Sequence, residues 1–233
     1  MSKLYEALQQ EPGRTQARMT RGPATPRLIT GSRQSMEALH QALEGALPGF
    51  ATRVVQFVAS RKGEGTTTIV HEFAMTLHLV FKKSILIVDA NPNHGAVRAF
   101  GARDVAPLSE LLRAVRGAAD EKQHSPGVTL VTYDGEVLDL PAAQTEWGVN
   151  FGDILRGHFD YVLFDVAALG TTARAISFAR HVDGVVIIVE AEKTRWPVVE
   201  NTKKAYEAVG ETIIGVILNK RAFYIPKWLY KRL

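Results

Sequence analysis

RVVQFVASRKGEGTTTIVHEFAMTLHLVF (53–81) joins an apolar run, a glycine-marked turn and a helical pattern without interruption. Its first part, RVVQFVAS (53–60), is a compact valine-rich run of the kind that fills a strand buried on both faces of a parallel sheet. Gly63 and Gly65 then punctuate the chain, and from Thr67 the apolar residues Val70, Phe73, Ala74, Leu77 and Phe81 recur at helical spacing. A strand, a glycine turn and a helix therefore follow one another directly. In an open parallel sheet, ligands collect at the carboxyl ends of the strands, where helix N-termini aim amide donors at anions. The segment Ser60-Arg61-Lys62-Gly63-Glu64-Gly65-Thr66-Thr67-Thr68 occupies that place. Two glycines let the backbone curl so that successive N–H groups face inward, as a phosphate cradle requires. The general pattern G-x-x-x-x-G-K-[ST] is nevertheless broken twice, with Ser60 at the first glycine and Thr66 at the lysine. A tight strand-to-helix turn with no ligand is the competing reading.

Outward from that stretch, further apolar runs lie at SILIVDA (84–90), VTLVTY (128–133), YVLFDVAAL (161–169), GVVIIVE (184–190) and TIIGVILN (212–219). Helical stretches at 171–181 and 195–209 separate the last three. Residues 35–47 place Met36, Leu39, Ala42, Leu43 and Leu47 at helical spacing, which predicts a helix packed on the main domain. Strands alternating with helices predict an α/β fold, a mainly parallel β-sheet with helices on both faces. No internal repeat interrupts this order. With 233 residues, 46% of them hydrophobic, the chain has material for one full core. The expected division is a short helix and basic linker over 1–34, the α/β domain over 35–220, and a tail over 221–233.

No apolar stretch approaches the roughly 20 residues needed to span a bilayer. The opening MSKLYEALQQ lacks a signal-peptide core, and the chain has no cysteine, which together predict a cytoplasmic protein. The net charge of +4 is modest, but it is concentrated at the two ends. Between Glu11 and Glu37 there is no acid, while Arg14, Arg18, Arg21, Arg27 and Arg33 alternate with Pro, Gly, Thr and Ser, the composition of a flexible basic linker. After Glu211 the chain is again free of acids. Lys220, Arg221, Lys227, Lys231 and Arg232 stand there among Phe223, Tyr224, Trp228 and Tyr230. Such a tail suits an anionic membrane surface or a protein partner better than DNA; a solvated tail with a few packed aromatics is the plainer reading.

Two acids stand out. Asp89 ends the second strand, and Asp165 lies inside an apolar one, where a lone carboxylate is costly to bury unless it meets a cation or a donor. A Mg²⁺ ion held by the Thr67 hydroxyl and the two carboxylates, partly through water, would account for all three. Alternatively, each aspartate caps a strand end and accepts from loop amides.

The order of these features resembles the cytoplasmic domain of bacterial tyrosine kinases that regulate capsular and exopolysaccharide synthesis, relatives of partition-type ATPases with a P-loop-NTPase-like fold. The resemblance rests on MSKLYEAL, the helix at Glu37, the GEG-T loop, the VDAN strand end, Leu108-Ser-Glu-Leu-Leu112, Phe159-Asp-Tyr-Val-Leu-Phe-Asp165, Val182-Asp-Gly-Val-Val-Ile-Ile-Val189 and Gly215-Val-Ile-Leu-Asn219. It implies that Gly63, Glu64, Gly65, Thr66, Thr67 and Thr68 form the phosphate loop for ATP or ADP with Mg²⁺. It also implies that Asp89 and Asp165 are the acidic motifs of an active member, that Asn219 lies on the adenine side, and that Tyr224 and Tyr230 stand where phosphorylated tyrosines cluster. The implied partner is a membrane-embedded polysaccharide co-polymerase or export protein at the inner membrane, with homo-oligomers expected and nucleic acid disfavoured.

The departures from the family pattern matter equally. The loop lysine is Thr66, the second acid of the D-x-D strand end is Asn91, and Ala167-Ala168 replaces a proline-containing turn. The glutamate-and-two-arginines helix motif that supports ring assembly keeps Glu37 but has His40 and Leu43. Phosphoryl transfer depends on charge stabilisation around the moving group, and the loop lysine supplies a positive charge there. Thr66 does not. Arg61 and Lys62 are the charge substitutes available within the loop, or Arg61 could reach across a dimer as the extra loop lysine of partition ATPases does, but simple solvent exposure of both is the favoured reading. The sequence therefore predicts a tyrosine-kinase-like regulatory protein with weak or absent catalysis. An active autokinase or ATPase with a deviant loop and a partition-type protein binding nucleic acid or membrane are the alternatives.

Overall fold

Six of the apolar runs form six parallel strands, in the order β3-β2-β4-β1-β5-β6. The computed structural model describes residues 33–117, 126–135, 154–169 and 174–221. Along the chain these residues give α1 (Arg33–Ala46), β1 (Arg53–Ala59), α2 (Thr66–Leu79), β2 (Ser84–Ala90), α3 (Gly95–Ala99) and α4 (Leu108–Gly117). Then follow β3 (Gly127–Thr132), β4 (Tyr161–Val166), α5 (Arg174–Ser177), β5 (Gly184–Glu190), α6 (Trp196–Glu207) and β6 (Ile213–Asn219). The expected linker within 1–32 and tail within 222–233, with Tyr224 and Tyr230, lie outside the described residues.

Alternation along β1 sorts its side chains between two cores. Val54 and Val58 join Leu111, Leu112, Phe178 and Tyr206 on the face covered by α4, α5 and α6. Val55 and Phe57 join Met36, Leu43, Phe73 and Leu77 on the face covered by α1, α2 and α3. Phe73 and Leu77 are fully buried, and each such side chain contributes about 1.5–3 kcal/mol. Gln56 is the polar exception within β1; its Nε2 donates to the Ala175 carbonyl at 2.8 Å and to the Tyr206 hydroxyl at 2.7 Å.

At the amino ends of the strands, α1 is fastened to the sheet by a buried polar group. The Tyr161 hydroxyl donates to Glu44 Oε1 at 2.7 Å and meets His40 Nδ1 at 2.9 Å, while Arg53 donates to Glu44 Oε2 at 2.8 Å. Burial lowers the His40 pKa, with Glu44 opposing, and raises that of Tyr161 well above its ordinary value. His40 and Leu43, which stand at the positions of the ring-assembly arginines, both face this protein's own interior.

Three element boundaries differ from the sequence reading. The helix α1 includes Arg33, whose Nε donates to Glu37 Oε1 at 2.7 Å, so this arginine belongs to the helix rather than to a linker. The strand read over 161–169 ends at Val166, beyond which the Leu169 amide donates to the Ala59 carbonyl. The helix read over 171–181 is, in its described part, one turn at Arg174–Ser177 followed by a 3₁₀ turn at Ala179–His181. Val182 is already extended, at φ −117 and ψ 160, and Asp183 Oδ2 accepts from the Val54 amide at 2.8 Å. Docking that carboxylate on β1 stops the helix short.

Candidate functional site

The loop between β1 and α2 lies at the carboxyl ends of the central strands and is held in shape by the two strands beyond β1. Gly65 precedes the first helical residue at φ 97 and ψ 27, a left-handed conformation. Glycine is needed there twice over, because a Cβ would also fall 2.3 Å from Asn219 Nδ2. Asn219, the last residue of β6, donates from Nδ2 to the Glu64 carbonyl at 2.8 Å. The next residue, Lys220, donates from Nζ to the Gly63 carbonyl at 2.5 Å and to Glu190 Oε2 at 3.3 Å. Two consecutive loop carbonyls are thus drawn toward the end of β6. In a trans peptide the N–H points opposite to the C=O, so the amides of Glu64 and Gly65 are turned away from β6. This is the arrangement a phosphate cradle requires, and the unpaired amides at the start of α2 continue it.

Glu64 was expected among the ligand-facing residues. Its backbone belongs to the cradle, but its carboxylate is buried and committed to the loop itself. Oε2 accepts from the Arg61 amide at 2.8 Å, and Oε1 accepts from the Thr194 hydroxyl and, at 3.4 Å, from the Glu190 amide. Thr66, at the lysine position, is buried with 7% exposure and carries no charge. Arg61, Lys62 and Thr68 are exposed.

Thr67 faces the acidic side of the site. Its hydroxyl donates to Asp165 Oδ2 at 2.7 Å. Asp165 and Asp89 are paired in register on β4 and β2 and are both buried. Asp89 accepts from the Asn91 amide at 3.1 Å on one oxygen and from the Val97 amide at 3.0 Å on the other, which is the strand-end capping alternative. Asp165 Oδ1, in contrast, is buried without a partner among the described residues, as is Ser60 Oγ. Burial pushes the Asp165 pKa up to about 7, with Asp89 adding to the rise and the Thr67 hydrogen bond opposing it. Burial also raises Asp89, against the pull of the Val97 and Asn91 amides.

A hydroxyl beside a carboxylate oxygen lacking any donor is a hard-oxygen set, and it fits Mg²⁺. Gly95 brings the loop after β2 so close that a Cβ would lie 2.6 Å from Thr67 Oγ1. Among the described residues no group of three or more His, Cys, Asp or Glu could hold a metal alone. A cation here would complete its shell with water and phosphate oxygens, the usual habit of Mg²⁺.

The fold therefore brings together Gly63, Glu64, Gly65, Thr66, Thr67, Asp89, Asp165 and Asn219. It leaves Arg61 and Lys62 exposed to solvent. Sequence reading missed Glu190, Thr194 and Lys220. Glu190 and Lys220 end or follow strands on the ligand side of the sheet, so the strand-end rule was the signal that could have found them.

No protein-family model matches the chain. It is 26% identical over 179 residues to the tyrosine-protein kinase CpsD of Streptococcus agalactiae, an alignment covering 74% of this chain and 77% of that protein. It is also 26% identical over 198 residues to the succinoglycan biosynthesis transport protein ExoP of Rhizobium meliloti, covering 77% of this chain but 24% of ExoP. Among solved structures, the kinase domain of Escherichia coli tyrosine kinase ETK superposes with a TM-score of 0.63 at 19% identity, covering 97% of this chain and 91% of that one. A ParA family ATPase from Chlorobium tepidum superposes with a TM-score of 0.51 at 19% identity, covering 72% of this chain and 74% of that one. At these identities the structural likenesses establish a shared α/β fold.

Proposed function

We propose, for a chain that its relatives place in the bacterial tyrosine-kinase family beside ParA-type ATPases, a regulatory role in capsule or exopolysaccharide biosynthesis and export. In this reading the protein binds ATP or ADP with Mg²⁺ and transfers phosphoryl groups weakly or not at all. One observation carries it: the loop is clamped open for an anion beside a partnerless carboxylate oxygen, while the residue at the lysine position is an uncharged, buried threonine. Binding needs the preformed amides; transfer also needs charge at the moving phosphoryl group. Losing one preorganised donor of that kind lowers the rate by about 10²–10³.

Gly63, Gly65 and the first turn of α2 bind the phosphates in this proposal, Thr67 with Asp165 and Asp89 holds the cation, and Asn219 backs the loop on the adenine side. The cation supplies electrostatic neutralisation of phosphate charge. Among the described residues no helix is long and apolar enough to cross a membrane, and the basic, aromatic run after Glu211 would hold the protein at the inner membrane against a polysaccharide co-polymerase or export protein. ExoP, named as a transport protein of succinoglycan biosynthesis, is the relative that motivates this partner class.

The test is to incubate the full chain with Mg²⁺-ATP and search Tyr224 and Tyr230 for phosphate by mass spectrometry, alongside calorimetry with Mg²⁺-ATP and Mg²⁺-ADP. Measurable binding with trace labelling is expected. Robust labelling that disappears in Asp89→Asn would overturn the weak-transfer part, and absence of binding to either nucleotide would overturn the sensor part.

A further inference from the structure

We infer that the corner formed by the carboxyl end of β6 and the first turn of α6 is a membrane-contacting edge, at which Trp196 and Leu218 enter the headgroup layer of an anionic lipid surface. The inference rests on the membrane-peripheral reading above and names which edge of the described domain meets the bilayer. β6 is the last strand of the sheet and pairs with β5 alone among the described residues. Val216 stands opposite Ile187 and Leu218 opposite Val189. Ile187 and Val189 belong to the core that holds Val199 and Tyr206 of α6. Partners in register point to the same side of a sheet, so Val216 and Leu218 lie on the face that α6 covers. The cover is incomplete. Ile213, at the start of β6, packs against that core, but farther along Val216 is 46% exposed and Leu218 65%. Trp196, the first residue of α6, is 69% exposed. It belongs to the same corner, because Thr194, two residues before it, and Asn219, next after Leu218, both bond to Glu64.

Three of the six large apolar side chains exposed among the described residues therefore stand along one edge. Scattered singly they would need no explanation; gathered together they mark an interaction surface. Charge identifies the occupant. Lys193, Arg195, Lys220 and Arg221, all exposed, flank the apolar residues in sequence and outnumber Glu190 and Glu192. Glu190 is shared between Lys193 at 3.2 Å and Lys220 at 3.3 Å, which leaves that group of three one net positive charge. From Arg221 the chain runs on through Lys227, Trp228, Tyr230, Lys231 and Arg232 without an acid. Lysine is depleted from the cores of protein interfaces. An anionic leaflet attracts it, and tryptophan favours the boundary between headgroups and hydrocarbon. An apolar edge flanked by cations, continuous with a basic and aromatic chain end, is thus matched to lipid rather than to a protein partner.

The experiment is co-sedimentation of the full chain with vesicles of phosphatidylcholine, with and without added phosphatidylglycerol, at low and high salt. Binding is expected on the anionic vesicles and should weaken as salt screens the charges. Trp196→Ala should weaken it by about tenfold or more, the worth of burying a large apolar side chain. Leu218→Ser should act in the same direction, and Arg195→Gln should weaken binding about fivefold, the worth of one basic residue at such a surface. Leu79→Ser, at an exposed apolar residue ending α2 away from this edge, should leave binding unchanged. A Trp147→Phe, Trp228→Phe variant keeps Trp196 as the sole tryptophan of three, and its emission should move to the blue on anionic vesicles. Thermal melts check folding; should Trp196→Ala melt early, that emission shift and Arg195→Gln carry the comparison. Unchanged affinity in both Trp196→Ala and Leu218→Ser would overturn the edge assignment and leave attachment through the chain end standing. Equal, salt-independent binding to neutral vesicles would overturn the choice of anionic lipid. A blue shift that follows protein concentration and ignores vesicles would make a second copy the occupant and overturn the inference. No vesicle binding by the wild type would remove both the edge and the membrane reading.

Discussion

Replacing Asp165 by asparagine should stabilise the metal-free protein at pH 8 and give no such gain at pH 4. Asp165 is fully buried in an apolar strand, one oxygen accepting from Thr67 and the other without a partner among the described residues. Burial pushes its carboxyl from the ordinary aspartate value of 3.8 up to about 7. A folded-state pKa raised above the unfolded one means that the folded chain holds its proton more tightly. The group's contribution is therefore fully present below pH 3.8 and is lost as pH rises through about 7. At 1.36 kcal/mol per pH unit this displacement corresponds to at most about 4 kcal/mol by pH 8. Asparagine keeps an oxygen for Thr67 and carries no charge. Denaturant unfolding of both proteins in chelator, from pH 4 to pH 8, should show the difference opening with the midpoint of that rise. Taking the difference cancels His40, which burial lowers in both proteins and whose contribution runs the opposite way. Saturating Mg²⁺ should then raise the wild-type midpoint at pH 8 and leave Asp165→Asn unmoved, because only the native carboxylate gains a partner. A variant less stable than wild type at pH 8, or a gap independent of pH, would refute the buried-carboxylate reasoning.

Gly65→Ala and Gly63→Ala should part company although both residues are left-handed, at φ 97 and φ 91. A Cβ at Gly63 meets open space and brings only backbone strain of about 1–2 kcal/mol, whereas at Gly65 it strikes Asn219 Nδ2. Gly65→Ala should therefore lose more stability and most nucleotide affinity, as read by denaturant midpoints and calorimetry; equal losses in the two would contradict the clamp. Tyr161→Phe should cost about 1–3 kcal/mol by leaving Glu44 and His40 without the hydroxyl between them. That is a fall of several degrees in Tm for a domain of this size, and an unchanged melt would show that α1 is held by its apolar face alone.

The strand–loop–helix unit at 53–81, the alternation of strands and helices, and Asp89 and Asp165 as candidate acids were all legible in the sequence. All of these are written in local patterns: period two or a continuous apolar run for buried strands, period near 3.6 for helices, glycine where the backbone must turn left-handed. Where local pattern met a competing contact it was a poorer guide, as at 171–181, where the docking of Asp183 on β1 ends the helix early. Which strand ends surround the loop depends on the order of strands in the sheet. Asn219 meets Glu64 across 155 residues and Lys220 meets Gly63 across 157, because β5 and β6 line up beside β1. Strand order depends on how whole elements share two cores, and no short window of sequence records it. For the same reason the part that Asn219 and Lys220 play in holding the loop is not visible in the residues around Thr66.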